Sequence, residues 1–237
     1  MTGEVSGGES AKRAAAEHAV ALVENGMRLG LGTGSTARHV LDVIGERRSR
    51  GELNDIIGVP TSNVTAAYAH GRDIPLGTLD DHPTLDLAID GADEVDPALD
   101  LIKGLGGALL WEKIVASAAA RFVIVVDTSK LVDRLGRRVP LPVEVVPFGW
   151  RAQLRRVEAI GCRATLREKH GQPFVTDGGH YILDCLFEDG IADAAAVEAA
   201  LRARPGVVAS GLFLGMATDV IVAGDGGVRH LRREAGQ

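Results

Sequence analysis

Cysteine is scarce in this chain: 237 residues hold two, Cys162 and Cys185. Each falls in a strand-like stretch, so both read as small apolar residues of a packed sheet rather than a disulfide or a ligand pair. Long apolar runs are missing too. The longest aliphatic stretches, such as 122–126, are far too short to span a bilayer. The opening residues have neither the basic end nor the apolar middle of a secretory leader, and a cytoplasmic protein with no membrane partner is expected. Positive charge is not in excess. The 26 Lys and Arg stand against 32 Asp and Glu, a net charge of -6. That argues against general nucleic-acid binding, which needs a basic footprint, but leaves room for a local field that holds an anionic small molecule. The seven histidines are scattered, with no H-x-x-x-H or Cys/His grouping for a metal. There is no Gly-x-Ser-x-Gly elbow for a serine hydrolase, and no internal repeat, low-complexity tract or long linker.

The apolar fraction of 46% and charged fraction of 24% are ordinary for a globular protein, and a chain this long buries a core without staples. Through residue 127 strands and helices alternate. Helices are expected at 10–24, with Ser10 as N-cap and Gly26 as stop, and at 36–47, 62–70 and 107–120. Strands are expected at 27–31, 56–59, 85–89 and 122–126. The alternation predicts a parallel sheet with helices on both faces. The pattern then changes to a strand at 141–146, a helix at 150–160 and a strand at 162–167. A hairpin follows, 174–176 returning as 181–187 through Asp177-Gly-Gly-His180. A helix at 192–204 and a strand at 207–213 complete a β-α-β-β-α-β order, that of a ferredoxin-like α+β unit. The aliphatic tail at 219–224 can rejoin the first sheet. The predicted division is therefore 1–137 with 214–237, and 138–213.

Two segments carry chemistry. In Gly30-Leu-Gly-Thr-Gly-Ser-Thr-Ala37, glycines between a strand and a helix let the main chain approach a ligand. The helix N-terminus favours a phosphate, and Thr33, Ser35 and Thr36 add hydroxyls around Gly34. The loose dinucleotide pattern Gly32-x-Gly34-x-x-Ala37 lacks its acidic partner, because the next strand ends in Val59-Pro-Thr-Ser62 and Asp55 lies at its wrong end. The second segment is Asp90-Gly-Ala-Asp-Glu-Val-Asp96, followed by Lys103-Gly-Leu-Gly-Gly-Ala-Leu-Leu-Trp-Glu-Lys113. Asp90 ends a central strand, at the sheet edge where open α/β folds bind ligands. Gly91 frees the chain to turn Asp93 into the same cleft, and two neighbouring acids divide into acid and base. Lys103 can steady an oxyanion. Glu112, among Ala108, Leu109, Leu110 and Trp111, is the candidate general base. Taken singly, each has a plain reading as well: turn-forming aspartates, a solvated lysine, a helix-surface glutamate beside Lys113. Asp90, Asp93, Glu94 and Asp96 supply oxygens enough for a divalent ion, but their spacing does not match a calcium loop. A phosphate cradle with an acid/base cluster suggests proton movement on a phosphorylated small molecule.

At these residues the chain resembles the type A ribose-5-phosphate isomerases. Gly32–Ala37, Asp90–Glu94, Lys103–Ala108 with Trp111–Lys113, Asp127–Lys130, Leu141–Pro147 and Gly211–Phe213 fall in that family's order. The resemblance implies interconversion of D-ribose 5-phosphate and D-ribulose 5-phosphate with neither metal nor organic cofactor. It implies a Rossmann-like catalytic domain with a smaller ferredoxin-like lid or oligomerisation domain, in a homodimer or homotetramer. By position it makes Glu112 the proton acceptor that shuttles hydrogen between C2 and C1 through an enediolate. It makes Asp90 the acid/base for ring opening, and Asp93 and Lys103 the groups that handle hydroxyl protons and the oxyanion. Substrate contacts are expected from Thr33, Gly34, Ser35, Thr36, Asp90, Gly91, Ala92, Asp93, Lys103, Gly104, Leu105, Gly106 and Lys130, with Lys12 a further phosphate candidate. The loop at 45–52 is slightly longer and more basic than in compact members. The rival readings are a non-catalytic sugar-phosphate sensor, which would need an output module, and a CoA- or acyl-transfer enzyme with Glu112 as nucleophile.

Overall fold

The computed structural model of the chain describes residues 3–234. In order, its elements are α1 (Gly3–Val20), β1 (Arg28–Leu31), α2 (Ser35–Ser49), β2 (Ile57–Pro60), α3 (Asn63–His70), β3 (Leu85–Asp90), β4 (Glu94–Val95), β5 (Leu101–Ile102), α4 (Leu109–Ala118) and β6 (Ala119–Asp127). After a one-turn 3-10 helix at Thr128–Lys130 come β7 (Leu141–Val145), α5 (Trp150–Glu158), β8 (Arg163–Leu166), β9 (Glu168–Lys169), β10 (Gln172–Pro173), β11 (Tyr181–Leu186), α6 (Ala194–Arg202), β12 (Val207–Ser210), β13 (Leu212–Phe213), β14 (Asp219–Gly224) and β15 (Gly227–Arg232). They form two compact units. One takes the chain up to Ala92, Trp111–Lys130 and everything from Met216 onward; the other takes Asp93–Leu110 and Leu131–Gly215. Relative to the division expected at 137/138, segments 93–110 and 131–137 group with the second unit. The reason is pairing: β4 and β5 join β13 in a small antiparallel sheet.

The first unit is built on a six-stranded sheet of order β15-β14-β6-β3-β1-β2. Every neighbouring pair is parallel except β14–β15. The aliphatic tail thus rejoins the sheet beside β6. Side chains alternate along a strand, and here the alternation divides two faces. Leu29 and Leu31 of β1, Leu87 and Ile89 of β3, and Val123 and Val125 of β6 pack with Ala15, Ala16 and Ala19 of α1 and Val40, Leu41 and Ile44 of α2. Gly30 and Ala88 point the other way, towards α4. A Cβ on Gly30 would lie 2.6 Å from Val115 Cγ1 and 2.7 Å from Ala88 Cβ, so glycine is what lets α4 lie close on the sheet. Helix α1 starts well before Ser10, which lies inside it rather than capping it, and ends before Gly26.

The second unit holds a four-stranded antiparallel sheet of order β12-β7-β11-β8. With α5 and α6 this gives the expected β-α-β-β-α-β arrangement. Leu141, Val143 and Val145 of β7 pack with Leu183 and Cys185 of β11, Val157 of α5 and Leu201 of α6. Both cysteines are free thiols, Cys185 buried and Cys162 half-buried. Two expectations need correction. The hairpin expected to pair 174–176 with 181–187 is not a ladder; Thr176 N–H donates to the His180 carbonyl at 2.9 Å and closes a turn, while β11 pairs with β7 and β8. The true short hairpin is β9–β10. Its turn at His170-Gly171 has φ of 54° and 74°, the twist that two-residue hairpins require. The strand expected over 207–213 is broken at Gly211, where the chain leaves one sheet for the other. Gly211 N–H donates to the Pro142 carbonyl at 2.7 Å and its carbonyl accepts from Lys103 N–H at 2.9 Å.

At the N-terminal edge of the first sheet, Asp219 is buried and accepts from Thr218 Oγ1 at 2.7 Å, Arg121 Nη2 at 3.1 Å and the His230 ring at 2.7 Å. Burial alone would raise its pKa, but Thr218, His230 and Arg121 together outweigh that and hold it below the usual aspartate value. A carboxylate depressed by folding contributes stability above its unfolded pKa and loses it as pH falls through the folded value. Asp219→Asn is expected to cost about 1–2 kcal/mol near neutrality, allowing for solvent around the partners. The difference in Tm between wild type and variant should hold from pH ~7 to ~5 and shrink below about pH 4. Thermal melts across that range check it; a gap that widens in acid contradicts it.

Candidate active site

The parallel strands β1, β2, β3 and β6 all end at one edge of the first sheet, at Leu31, Pro60, Asp90 and Asp127. The glycine turn, Asp90 and Lys130 leave from those ends; Glu112 and Lys12 lie on helices. From β1 comes the glycine turn. A Cβ on Gly32 would overlap the Asp90 carboxylate and lie 2.6 Å from Asp90 Cα, so only glycine lets the turn pass over the end of β3. Gly34 has φ 106° and stands immediately before α2, a conformation open to glycine and strained for other residues. Asp90 is 3% exposed. Its Oδ1 accepts from Thr33 N–H at 3.1 Å and from Gly91 N–H at 2.7 Å. The carboxylate therefore ties the turn after β1 to the turn after β3.

Thr33 does something other than expected. Its hydroxyl contacts Thr61 Oγ1 at 2.8 Å, Ser62 Oγ at 2.9 Å and Thr65 Oγ1 at 3.0 Å. Its single proton is directed to Ser62 Oγ, so the hydroxyl is turned into this cluster. Thr61 Oγ1 donates to the Leu31 carbonyl and Thr65 Oγ1 to the Gly32 carbonyl. Thr61, Ser62 and Thr65 are buried and brace the glycine turn from beneath. Sequence reasoning missed all three as site residues. The signal was Val59-Pro-Thr-Ser62 at a strand end, read there only for its missing acid. What the turn offers outward is the main chain at the start of α2 with the Ser35 and Thr36 side chains.

Glu112 lies in the first turn of α4 and is 5% exposed. It is three residues before Val115, hence on the same helix face, the face that packs on Gly30 and Ala88. Ala88 and Asp90 in turn share a face of β3. Lys130 closes the 3-10 turn after β6 and is half-buried. Lys12 is on α1, with its ammonium 3.4 Å from Glu9.

In the second unit β4 and β5 form a hairpin with Glu94 opposite Ile102 and Val95 opposite Leu101. The next residues outward are Asp93 and Lys103, so ten residues of sequence fold into neighbours across the hairpin mouth. Asp93 N–H donates to the Ile102 carbonyl at 2.8 Å, and its Oδ2 accepts from Leu105 N–H at 3.0 Å. Lys103 is 3% exposed, with its ammonium 5.6 Å from the centre of the Phe213 ring. The remaining acids of this stretch are occupied by backbone. Glu94 accepts from Gly136 N–H and Arg138 N–H, each at 2.6 Å, and Asp96 accepts from Ala98 and Asp100 N–H, each at 2.9 Å. Among the described residues no group of three or more His, Cys, Asp or Glu could hold a metal ion, and no helix is long and apolar enough to cross a membrane.

Comparison with known proteins gives a consistent result. Residues 57–227 match the family model described as ribose 5-phosphate isomerase A (phosphoriboisomerase A). The chain is 57% identical over 221 residues to the ribose-5-phosphate isomerase A of Roseiflexus castenholzii, covering 93% of this chain and 94% of that one. Among solved structures it is similar to a D-ribose-5-phosphate isomerase in complex with phospho-erythronic acid, at 42% identity and TM-score 0.93, covering 95% of this chain and 99% of the other. The ribose 5-phosphate isomerase of Plasmodium falciparum superposes with the same TM-score at 37% identity, again over 95% and 99% of the two chains.

The packing at Gly32 has a direct test. Gly32→Ala forces its methyl group into Asp90 and is expected to cost about 1–3 kcal/mol. Gly106→Ala, where a Cβ meets nothing within 4 Å, should stay within about 0.5 kcal/mol of wild type. Urea midpoints of the two variants compare them; equal midpoints would contradict the close passage over Asp90.

Proposed function

The chain belongs to the ribose 5-phosphate isomerase A family, and from that premise we propose how its residues divide the reaction. The enzyme interconverts D-ribose 5-phosphate and D-ribulose 5-phosphate, an aldose–ketose isomerisation of the pentose phosphate pathway. The sensor and acyl-transfer readings are not favoured.

The reaction removes a proton from C2 and delivers one to C1, while the oxygen on C1 gains a proton and that on C2 loses one. It needs a base at carbon, proton traffic at oxygen and stabilisation of the enediolate. Glu112 is the proposed base. Its burial on the sheet-facing side of α4 supports this, since a carboxylate held away from water keeps its basicity for a carbon acid. Asp90 is the proposed acid/base for opening the furanose ring. Two amides steady one of its oxygens, which fixes the carboxylate's orientation. Asp93 and Lys103 are proposed to relay hydroxyl protons and balance the enediolate charge; a buried lysine suits that task.

For the phosphate, the proposed grip is the Thr33–Thr36 turn, through main-chain N–H groups of Gly34, Ser35 and Thr36 with the Ser35 and Thr36 hydroxyls, and Lys130 as countercharge. Gly91, Ala92, Gly104, Leu105 and Gly106 are proposed to line the sugar with backbone groups. Lys12 is a weaker candidate, because Glu9 competes for its charge. We also propose that the first unit supplies Glu112 and Asp90, that the second supplies Asp93 and Lys103 and acts as lid or oligomerisation domain, and that the enzyme works as a cytoplasmic homodimer or homotetramer with no metal or organic cofactor.

The observation that carries this reading is Asp90, fixed by the glycine turn at the strand edge where ligands bind in open α/β sheets. Glu112→Gln is expected to lower kcat by roughly 10²–10⁴-fold with KM little changed. Steady-state assays on chelator-treated protein measure it. Near-normal turnover by the variant rejects Glu112 as the base, and activity that returns only with a divalent ion rejects metal-free catalysis.

A further inference from the structure

The segment 103–107 closes one turn of its own, Gly107 N–H donating to the Gly104 carbonyl at 3.0 Å. Gly104 and Gly107 have φ of 106° and 85°, and Leu105 is an exposed large apolar residue. The rest of its support comes from β8 and β11. Arg167, the residue after β8, donates from Nη1 to the Gly104 carbonyl at 2.8 Å and to the Leu105 carbonyl at 3.0 Å. The guanidinium is fixed from its other side by Asp184 of β11, which takes Nε at 2.9 Å and Nη2 in a two-pronged pair. That pair is mostly buried, at 13% and 19% side-chain exposure. Phe174 lies beneath the guanidinium, 6.0 Å from ring centre to Cζ. The same ring occupies the space a side chain on Gly107 would need, with Cε1 2.5 Å from the Cβ position.

A trans peptide points its carbonyl and its N–H in opposite directions. With the Gly104 carbonyl turned to Arg167, Leu105 N–H points away from it, and it is bonded to Asp93 Oδ2. With the Leu105 carbonyl also turned to Arg167, Gly106 N–H likewise points away from the guanidinium. One guanidinium thus holds two successive carbonyls, the first of them together with Gly107 N–H. The first peptide orients the Asp93 carboxylate through Leu105 N–H, and the second aims a donor away from Arg167.

We infer that Arg167, held by Asp184, is a positioning residue for the isomerisation: it orients the 104–105 and 105–106 peptides so that Asp93 and Gly106 N–H meet the sugar oxygens. This rests on the functional reading above. Arginine is required because a planar fork meets a carboxylate on one edge and two carbonyls on the other. Lysine has three donors but no planar fork that fixes these partners in one geometry.

The test compares wild type, Arg167→Met, Arg167→Lys and, should the methionine variant fold poorly, Asp184→Asn. Two readouts are taken: steady-state kinetics with ribose 5-phosphate, and amide hydrogen exchange of the free proteins. A misaligned catalytic segment typically costs on the order of 10²-fold. Arg167→Met is therefore expected to lose about that in kcat with KM changed by less than about threefold, Arg167→Lys to fall between, and exchange to accelerate at 104–107 while the four-stranded sheet exchanges as in wild type. Wild-type kcat in Arg167→Met overturns the proposal. So does faster exchange throughout the second unit, which would make the role structural. If wild type itself fails to isomerise, the functional reading falls, and unchanged exchange at 104–107 would separately overturn the positioning of the segment.

Discussion

Asp90 is the fixed point of the first unit's chemistry. Its carboxylate ends the central strand β3, is 3% exposed, and is bonded to the N–H groups of Thr33 and Gly91. A buried carboxylate needs such donors. One donor comes from a turn that depends on glycine, since a Cβ on Gly32 would strike Asp90; the other is Gly91, which follows Asp90 directly. Beneath the turn, four hydroxyls from Thr33, Thr61, Ser62 and Thr65 tie the ends of β1 and β2 together. The turn is thus braced from within the protein, and α2 begins from it without a side-chain cap, its first N–H groups lacking intrahelical acceptors. Preorganised donors are what a phosphate site and an enediolate both use.

Stability and chemistry occupy opposite edges of that sheet. The C-terminal edge carries Asp90, the glycine turn and Lys130. At the N-terminal edge the buried acid is Asp219, and Arg121, His230 and Thr218 answer it. The second unit follows a similar economy of roles. Of the acids between 90 and 100, Glu94 and Asp96 satisfy backbone N–H groups of a loop and a turn. Asp93 is the one at the hairpin mouth beside Lys103. It too accepts a backbone N–H, that of Leu105, and it is the acid of this stretch proposed to react.

Much of this was legible in the sequence. Val123–Val126 and Val220–Val222 are aliphatic enough to announce central strands, and Gly-Thr-Gly-Ser-Thr after β1 announced a turn leading into a helix. Other elements were hidden for physical reasons. Strand β15 is an edge strand with mostly exposed, polar residues, so it lacks the alternation that marks a half-buried strand. Strands β4 and β5 are two residues each, too short for any period. Helix α1 reaches back through a Gly- and Ser-rich stretch that propensity argues against. In the site, Thr33 was recognisable as a loop hydroxyl but not as one engaged by three others, since Thr61, Ser62 and Thr65 come from a different strand end. Arg167 carries no local signal at all. Its partners, Gly104, Leu105 and Asp184, lie 63, 62 and 17 residues away.

In the proposed mechanism one carboxylate, Glu112, carries hydrogen between adjacent carbons as a proton. Ribose 5-phosphate bearing deuterium at C2, converted by the enzyme in ordinary water, tests it most directly. A proton held on a carboxyl group can exchange before it is returned, so the ribulose 5-phosphate formed should retain less than the full label at C1, the missing fraction appearing in solvent. Complete retention at every stage of conversion that persists, with undiminished turnover, in Glu112→Gln would show that the hydrogen moves without that carboxylate, and the role given to Glu112 would be wrong.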